Sequence, residues 1–270
     1  MVKRIVILSH ARSGTSRLKQ LFFRSFHGFA DIDTEFFKKQ SPALQKFIIK
    51  NKSHLSRTTV DKCKDLLCNH NFRLEDPIAC LNQLSNVCFD MRCKYLLLKI
   101  TPIIFDFKLI QNLANESDIK FLFITRNILD TYISYEKALM VNAWHGLNTS
   151  NIKLKLDKNK FLKFHKDYIN WVKTTYSIVS ANNAVNFYDY NDIFNTSSGE
   201  KTSFLNLFKS YVDESDINHK YIENKRLMPN ELKRQDITAA WNDKISNGDA
   251  IESLINNKSL KLDVSYYLNK

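Results

Sequence analysis

The chain has 270 residues, 44% of them hydrophobic and 25% charged, with 5 Gly and 4 Pro. That length and balance suit one folded domain with its own core, and argue against a disordered chain or modules strung on flexible linkers. The formal charge of +12 favours anionic ligands or surfaces, yet no run of five or six basic residues marks a nucleic-acid arm.

The cysteines are Cys63, Cys68, Cys80, Cys88 and Cys93. The count is odd and no Cys-x-x-Cys pair occurs, so neither a zinc site nor a disulfide framework is signalled. Free thiols in a reducing compartment fit better. Met1-Val2-Lys3-Arg4 leads into a short apolar run unlike a signal peptide, and no stretch of eighteen apolar residues is present. The expected location is the cytoplasm, with no stable membrane insertion.

In chain order, Arg4-Ile5-Val6-Ile7-Leu8-Ser9 reads as a strand buried on both faces. His10-Ala11-Arg12-Ser13-Gly14-Thr15 ends it, and the apolar spacing of Leu18, Leu21, Phe22, Phe23 and Phe26 predicts a helix from Ser16 to Phe26. Residues 36–93 read as several helices. Tyr95 to Ile100 is a second buried strand, ended by Thr101-Pro102, and a helix follows around Ile104 to Ala114. Ile119 to Ile124 is a third strand, after which Asn127 is placed to cap a helix running to about Met140. A Lys-rich amphipathic stretch covers about 158–181, Ala184 to Tyr188 is a weaker fourth strand, and residues from 190 onward are mainly helix and loop. Strands alternating with helices predict an α/β domain over 1–270, with a central parallel sheet flanked by helices and ligands at the carboxyl ends of the strands. Within it, residues 36–93 form a helical insertion on the acceptor side and 190–270 a helical and loop C-terminal segment.

Two strand ends carry the chemistry. In Arg12-Ser13-Gly14-Thr15-Ser16, a small-residue loop opens a helix, so backbone N–H groups and the helix dipole converge on one point. Arg12 adds a charged fork of donors that suits phosphate or sulfate. The bland alternative is an ordinary strand-to-helix turn. A Walker A loop is excluded: with Gly14 as its second glycine, Ser9 replaces the first and Thr15 the lysine. At the second strand end stands Arg126, with Ser134 eight residues on, in the second turn of the next helix.

Together these segments resemble the PAPS-dependent sulfotransferases, whose donor is 3′-phosphoadenosine-5′-phosphosulfate (PAPS). The loop at 10–17 is similar to their 5′-phosphosulfate-binding loop, and Arg126 with Ser134 to their 3′-phosphate-binding motif. Leu232-Lys233-Arg234-Gln235-Asp236, followed by Trp241 and Ile245-Ser246-Asn247, resembles the C-terminal segment of bacterial members, including those that sulfate Nod factors and glycolipids. The resemblance implies a single P-loop-like domain. It implies Arg12, Ser13, Gly14, Thr15 and Ser16 around the 5′-phosphate and sulfate, Arg126 and Ser134 on the 3′-phosphate, and Lys233 and Arg234 closing over the nucleotide. Many cytosolic members carry an aromatic residue where Arg17 stands; Arg17 can stack on adenine through its guanidinium plane.

Sulfuryl transfer builds negative charge on the bridging oxygen, which positioned cations stabilise. Arg12 and Lys99 are the candidates; Leu98-Lys99-Ile100-Thr101-Pro102 is similar to the family's Lys-Thr-His-Leu-Pro segment but has no His. For the base, Glu35 in Thr34-Glu35-Phe36-Phe37 resembles the Gly-Glu-Leu-Phe segment of bacterial members, with His27, His54 and His145 as fallbacks. The product is 3′-phosphoadenosine-5′-phosphate (PAP), no metal is required, and the acceptor is a small molecule, lipid or glycan rather than nucleic acid. Two other classes compete. A P-loop nucleotide or sugar kinase needs the absent loop lysine. A non-catalytic polyanion binder has only the Lys-Phe-Leu-Lys-Phe-His-Lys run at 160–166 in its favour.

Overall fold

The computed structural model describes residues 1–30, 37, 56–58, 60, 61, 75–102, 107–142, 149, 151–183, 185–194, 208–219, 242–249, 252, 254 and 260–268. Four parallel strands form one sheet in the order β2-β1-β3-β4: β1 is Lys3–Ser9, β2 Tyr95–Ile100, β3 Ile119–Thr125 and β4 Val185–Asp189. The middles of the three long strands, Ile5 to Leu8, Leu96 to Leu98 and Phe121 to Ile124, are apolar because both of their faces are covered. Val6, Leu8, Leu96, Leu98, Phe121 and Phe123 point into one core. Helices Pro77–Asp90 (α2), Phe107–Ala114 (α3), Ile128–Met140 (α4) and Lys158–Ser180 (α5) cover that face. Ile5, Ile7, Tyr95, Leu97, Leu122 and Ile124 point into the other, against helix Thr15–Ser25 (α1), Phe208, Tyr211 and the short helix Tyr190–Phe194 (α6). A final short helix, Ser265–Leu268 (α7), packs on α5.

The four expected strands and the helices expected after β1, β2 and β3 and over 158–181 match this α/β architecture, with the ends shifted by a few residues, whereas most of the helical insertion expected over 36–93 and much of the segment from 190 onward lie outside the described residues. The fourth strand begins at Val185 and runs to Asp189, and the third helix is described only from Phe107. β4 gave a weak signal because it is only half-buried, along the sheet's edge. One pairing had no local signal. Leu154 N–H donates to Lys244 (2.9 Å), Ser246 N–H donates to Leu154 (2.9 Å), and the Asn247 amide bonds the Leu156 backbone in both directions (2.8 and 3.0 Å). Buried Lys244 also meets Asp130 of α4 at 2.8 Å. The segment around Ile245-Ser246-Asn247 is thereby seated beside α4, whereas residues 232–236 and Trp241 lie outside the described residues.

At the opposite edge, Tyr95 donates to Asp216 (2.8 Å) and Lys94 pairs with the same carboxylate. This ties the 208–219 segment to the amino end of β2.

The strand order matters for function. The chain runs from β1 to β2 on one side, then returns to β3 on the other side of β1. In open α/β sheets a crevice opens at such a reversal, outside the strands' carboxyl ends. Asn127 fixes the β3 side of it: its side chain accepts from Leu129 N–H (3.0 Å) and Asp130 N–H (3.2 Å), starting α4 three residues after the last residue of β3. Asn127→Ala is expected to lower stability by about 1 kcal/mol, seen as a lower urea midpoint at unchanged slope. Asn127→Asp should stay near wild type. An unshifted midpoint for the alanine variant would show that the cap contributes nothing.

Candidate anion-binding site

The crevice between β1 and β3 is where the sequence-predicted residues meet. β1 ends at Ser9, and the next five residues turn sharply into α1. Arg12 (φ +73°) and Gly14 (φ +79°) both adopt the left-handed region. Glycine does so freely; for arginine the conformation is uncommon, costs on the order of 1 kcal/mol and is held by its surroundings. Gly14 is the N-cap of α1, with no side-chain cap and no acidic residue in the first turn. By contrast, Asp76, Asn127 and Asp157 cap α2, α4 and α5 with their side chains. The α1 N-terminus thus keeps its partial positive charge open toward the crevice. Thr15 is buried at the start of the helix and Ser16 is exposed beside it.

Three arginines converge there. Arg12 Nε donates to Ser134 Oγ at 3.0 Å, joining the first loop to the second turn of α4. Arg126, one residue past β3, donates to the Arg12 carbonyl at 3.3 Å. Its guanidinium lies 4.9 Å from the centre of the Tyr190 ring, a cation–π arrangement. Arg17 donates to the Tyr190 hydroxyl at 3.5 Å. Burial, and then the Arg126 charge, lower the Arg12 pKa from its ordinary value, the mark of cations held close together out of water. An anion in the crevice would relieve both effects.

Buried hydroxyls add a second sign. Ser9, Ser13, Thr125 and Tyr168 have buried side-chain oxygens without a hydrogen-bond partner among the described residues. Tyr168 lies over Ser13 without strict hydrogen-bond geometry, and burial pushes its phenol well above the ordinary value. Such groups cost about 1–3 kcal/mol each when left unpaired. Ser9 and Thr125, which end β1 and β3, fit a site that exchanges hydrogen bonds with a polar ligand. Among the described residues no group of His, Cys, Asp or Glu is arranged to hold a metal ion.

Lys99 is the penultimate residue of β2, paired in register with Ile7, and its charge is felt at His10. His27 sits just past the far end of α1, away from the crevice. Glu35, His54, His145, Lys233, Arg234 and Gln235 lie outside the described residues.

Sequence reasoning missed two residues. Tyr190, nearly buried after β4, orients both Arg126 and Arg17; its role depends on contacts between distant segments, and a tyrosine at a strand end carries no local signature. His10 is buried against Tyr168 (4.8 Å), Phe164 (5.0 Å) and Tyr135 (5.9 Å). Its Nδ1 is 2.8 Å from the Ala11 carbonyl, which only accepts, so the proton is on Nδ1 and Nε2 keeps its lone pair. Burial lowers its pKa to about 4, opposed by the Ala11 bond and aided by Lys99. Adjacency to the loop was its one available signal.

No protein-family model matches the chain, and no curated protein does. Among solved structures, the sulfotransferase domain from the curacin biosynthetic pathway matches with a TM-score of 0.52 at 11% identity, over 100% of this chain and 97% of that one. The chain therefore shares the overall α/β fold of that domain.

His10 gives a pH test. Because its folded pKa is depressed to about 4 from 6.5, unfolding takes up a proton below the ordinary value. Its contribution is complete above pH 6.5 and is lost as pH falls toward 4. From pH 7 to 5 the loss is about 2 kcal/mol, at 1.36 kcal/mol per pH unit. Urea midpoints should fall over this range more in wild type than in His10→Gln. The same fall in both would place the titration elsewhere.

Proposed function

We propose that the protein is a PAPS-dependent sulfotransferase, moving a sulfuryl group from PAPS to a hydroxyl or amine of a small-molecule, lipid or glycan acceptor. The observation that carries this reading is the Arg12 Nε to Ser134 Oγ hydrogen bond of 3.0 Å. It unites the loop suited to a phosphosulfate with the Arg126–Ser134 pair suited to a second phosphate. A donor with anionic groups at both its 5′ and 3′ positions needs two such halves side by side. The fold shared with a sulfotransferase domain adds support.

In this reading the α1 N-terminus and Arg12 hold the 5′-phosphosulfate, while Arg126 and Ser134 hold the 3′-phosphate. Arg17 and Tyr190 lie against the same cluster and border the nucleotide. Transfer is an in-line displacement: the acceptor oxygen or nitrogen bonds to sulfur as the bond from sulfur to the 5′-phosphate oxygen breaks. The acceptor's proton goes to a base, and PAP leaves with the electron pair. Arg12 and Lys99 stabilise charge growing on the bridging oxygen. Glu35 is the proposed base, and Lys233 and Arg234 are proposed to close over the nucleotide. A kinase reading lacks the loop lysine that would bridge the β- and γ-phosphates.

Two variants test these roles. Arg126→Ala should weaken PAP binding by about tenfold to a hundredfold, the worth of a charge-assisted hydrogen bond, while adenosine 5′-phosphate, without a 3′-phosphate, loses far less. Equal losses for both nucleotides in calorimetric titrations would contradict the assignment. Glu35→Gln should bind PAP as wild type does, yet transfer sulfate from labelled PAPS to a hydroxyl acceptor roughly 10²–10⁴-fold more slowly. Near wild-type transfer would remove Glu35 from the mechanism.

A further inference from the structure

The outer face of α5 serves neither the core nor the anion site. Its inner face buries Phe161, His165, Tyr168, Val172, Thr175 and Val179, a spacing of three and four residues that fits one helical side. On the opposite side Lys160, Lys163, Lys166 and Lys173 form an exposed stripe, about 20 Å long at 1.5 Å per residue. Exposed Lys153 and Lys155 lead into it, alternating with buried Leu154 and Leu156.

None of these six lysines makes an ion pair among the described residues. Only two acids fall between residues 151 and 180. One of them, Asp157, spends its carboxylate on the Asn159 and Lys160 N–H groups at the helix cap. Among the described residues the six lysines are paired with no acid, and with Asp167 as the second acid of the stretch a local excess of positive charge remains.

The character of the surface selects its partner. Every exposed residue between 151 and 180 is polar or charged. A protein interface would call for aromatic or apolar anchors and few lysines. A single-stranded nucleic acid would call for exposed rings to stack its bases, but Phe161, Tyr168 and Trp171 are buried. The stripe runs along the outer side of a single helix. Flexible ammonium groups along that side match a flat, diffuse array of negative charge, as anionic headgroups present.

We propose that the lysine stripe of α5 docks the protein on an anionic lipid bilayer by electrostatic attraction, without insertion. The apolar face of α5 is committed to the core, so attraction rests on charge, and among the described residues no helix is long and apolar enough to cross a membrane. The inner side of the same helix packs Phe164 on His10, which sets the anion-binding loop about one helix diameter, roughly 10 Å, behind the stripe.

The test is co-sedimentation of the intact protein with vesicles of phosphatidylcholine, with or without phosphatidylserine, across a range of salt. Binding should require phosphatidylserine and weaken steeply as salt rises toward about 0.15 M. Lys163→Glu with Lys166→Glu should lower partitioning at least about 25-fold, taking roughly fivefold per lysine. Lys108→Glu with Lys209→Glu changes the net charge equally at exposed sites elsewhere and should bind nearly as wild type does. Melting temperatures of both variants confirm folding. Equal binding to neutral vesicles, equal loss in the two double variants, or displacement from vesicles by a short oligonucleotide at equal charge would each overturn the proposal.

Discussion

Two arginines held side by side at the carboxyl edge of a parallel sheet are the constraint around which this molecule is built. Arg12 and Arg126 repel each other, and burial depresses the Arg12 pKa further. What holds them is a set of contacts from four separate segments. Ser134 accepts from Arg12, the Arg12 carbonyl accepts from Arg126, and Tyr190 offers its ring to Arg126 and its hydroxyl to Arg17. Asp189, at the end of β4, also lies close enough for its charge to act on Arg126. An anionic ligand at this point would add an attraction that offsets the burial of Arg12 and its repulsion by Arg126. The left-handed Arg12 backbone adds strain at the same place.

The rest of the fold can be read as support for that point. The order β2-β1-β3-β4 opens the crevice between β1 and β3. Gly14 leaves the α1 N-terminus open, while Asn127 closes the α4 N-terminus and sets Ser134 two turns along. The Lys244–Asp130 pair and the Asn247–Leu156 bonds brace α4 from outside. Buried Arg4, hydrogen-bonded to Asp118 at 2.8 Å, ties the start of β1 to the turn before β3 at the other end of the sheet.

Much of this was legible in the sequence. Central strands of a parallel sheet are apolar on both faces, so Ile5 to Leu8, Leu96 to Leu98 and Phe121 to Ile124 announce themselves without ambiguity. Asn127 and Gly14 act through their immediate neighbours, so their roles were also readable. What stayed hidden depends on segments far apart in the chain. The Ile245 strip pairs with Leu154 across about ninety residues, and Tyr190 reaches Arg17 across 173. His10 looked like a loop residue; only the packing of α4 and α5 around it makes it a buried, neutral imidazole. The lysine stripe was visible as a Lys-rich run, yet its exposure on a single face became apparent only once the inner face of α5 was seen in the core.

The central claim is that one crevice reads two phosphate positions on a single nucleotide. Calorimetric titration of the intact protein with PAP, and separately with Mg-ATP, tests it most directly. PAP carries charge at both its 5′ and 3′ positions, whereas ATP concentrates its charge at the 5′ end. The account predicts that PAP binds at least about tenfold more tightly, a difference of 1.4 kcal/mol or more. Equal affinity, or tighter binding of Mg-ATP, would contradict it.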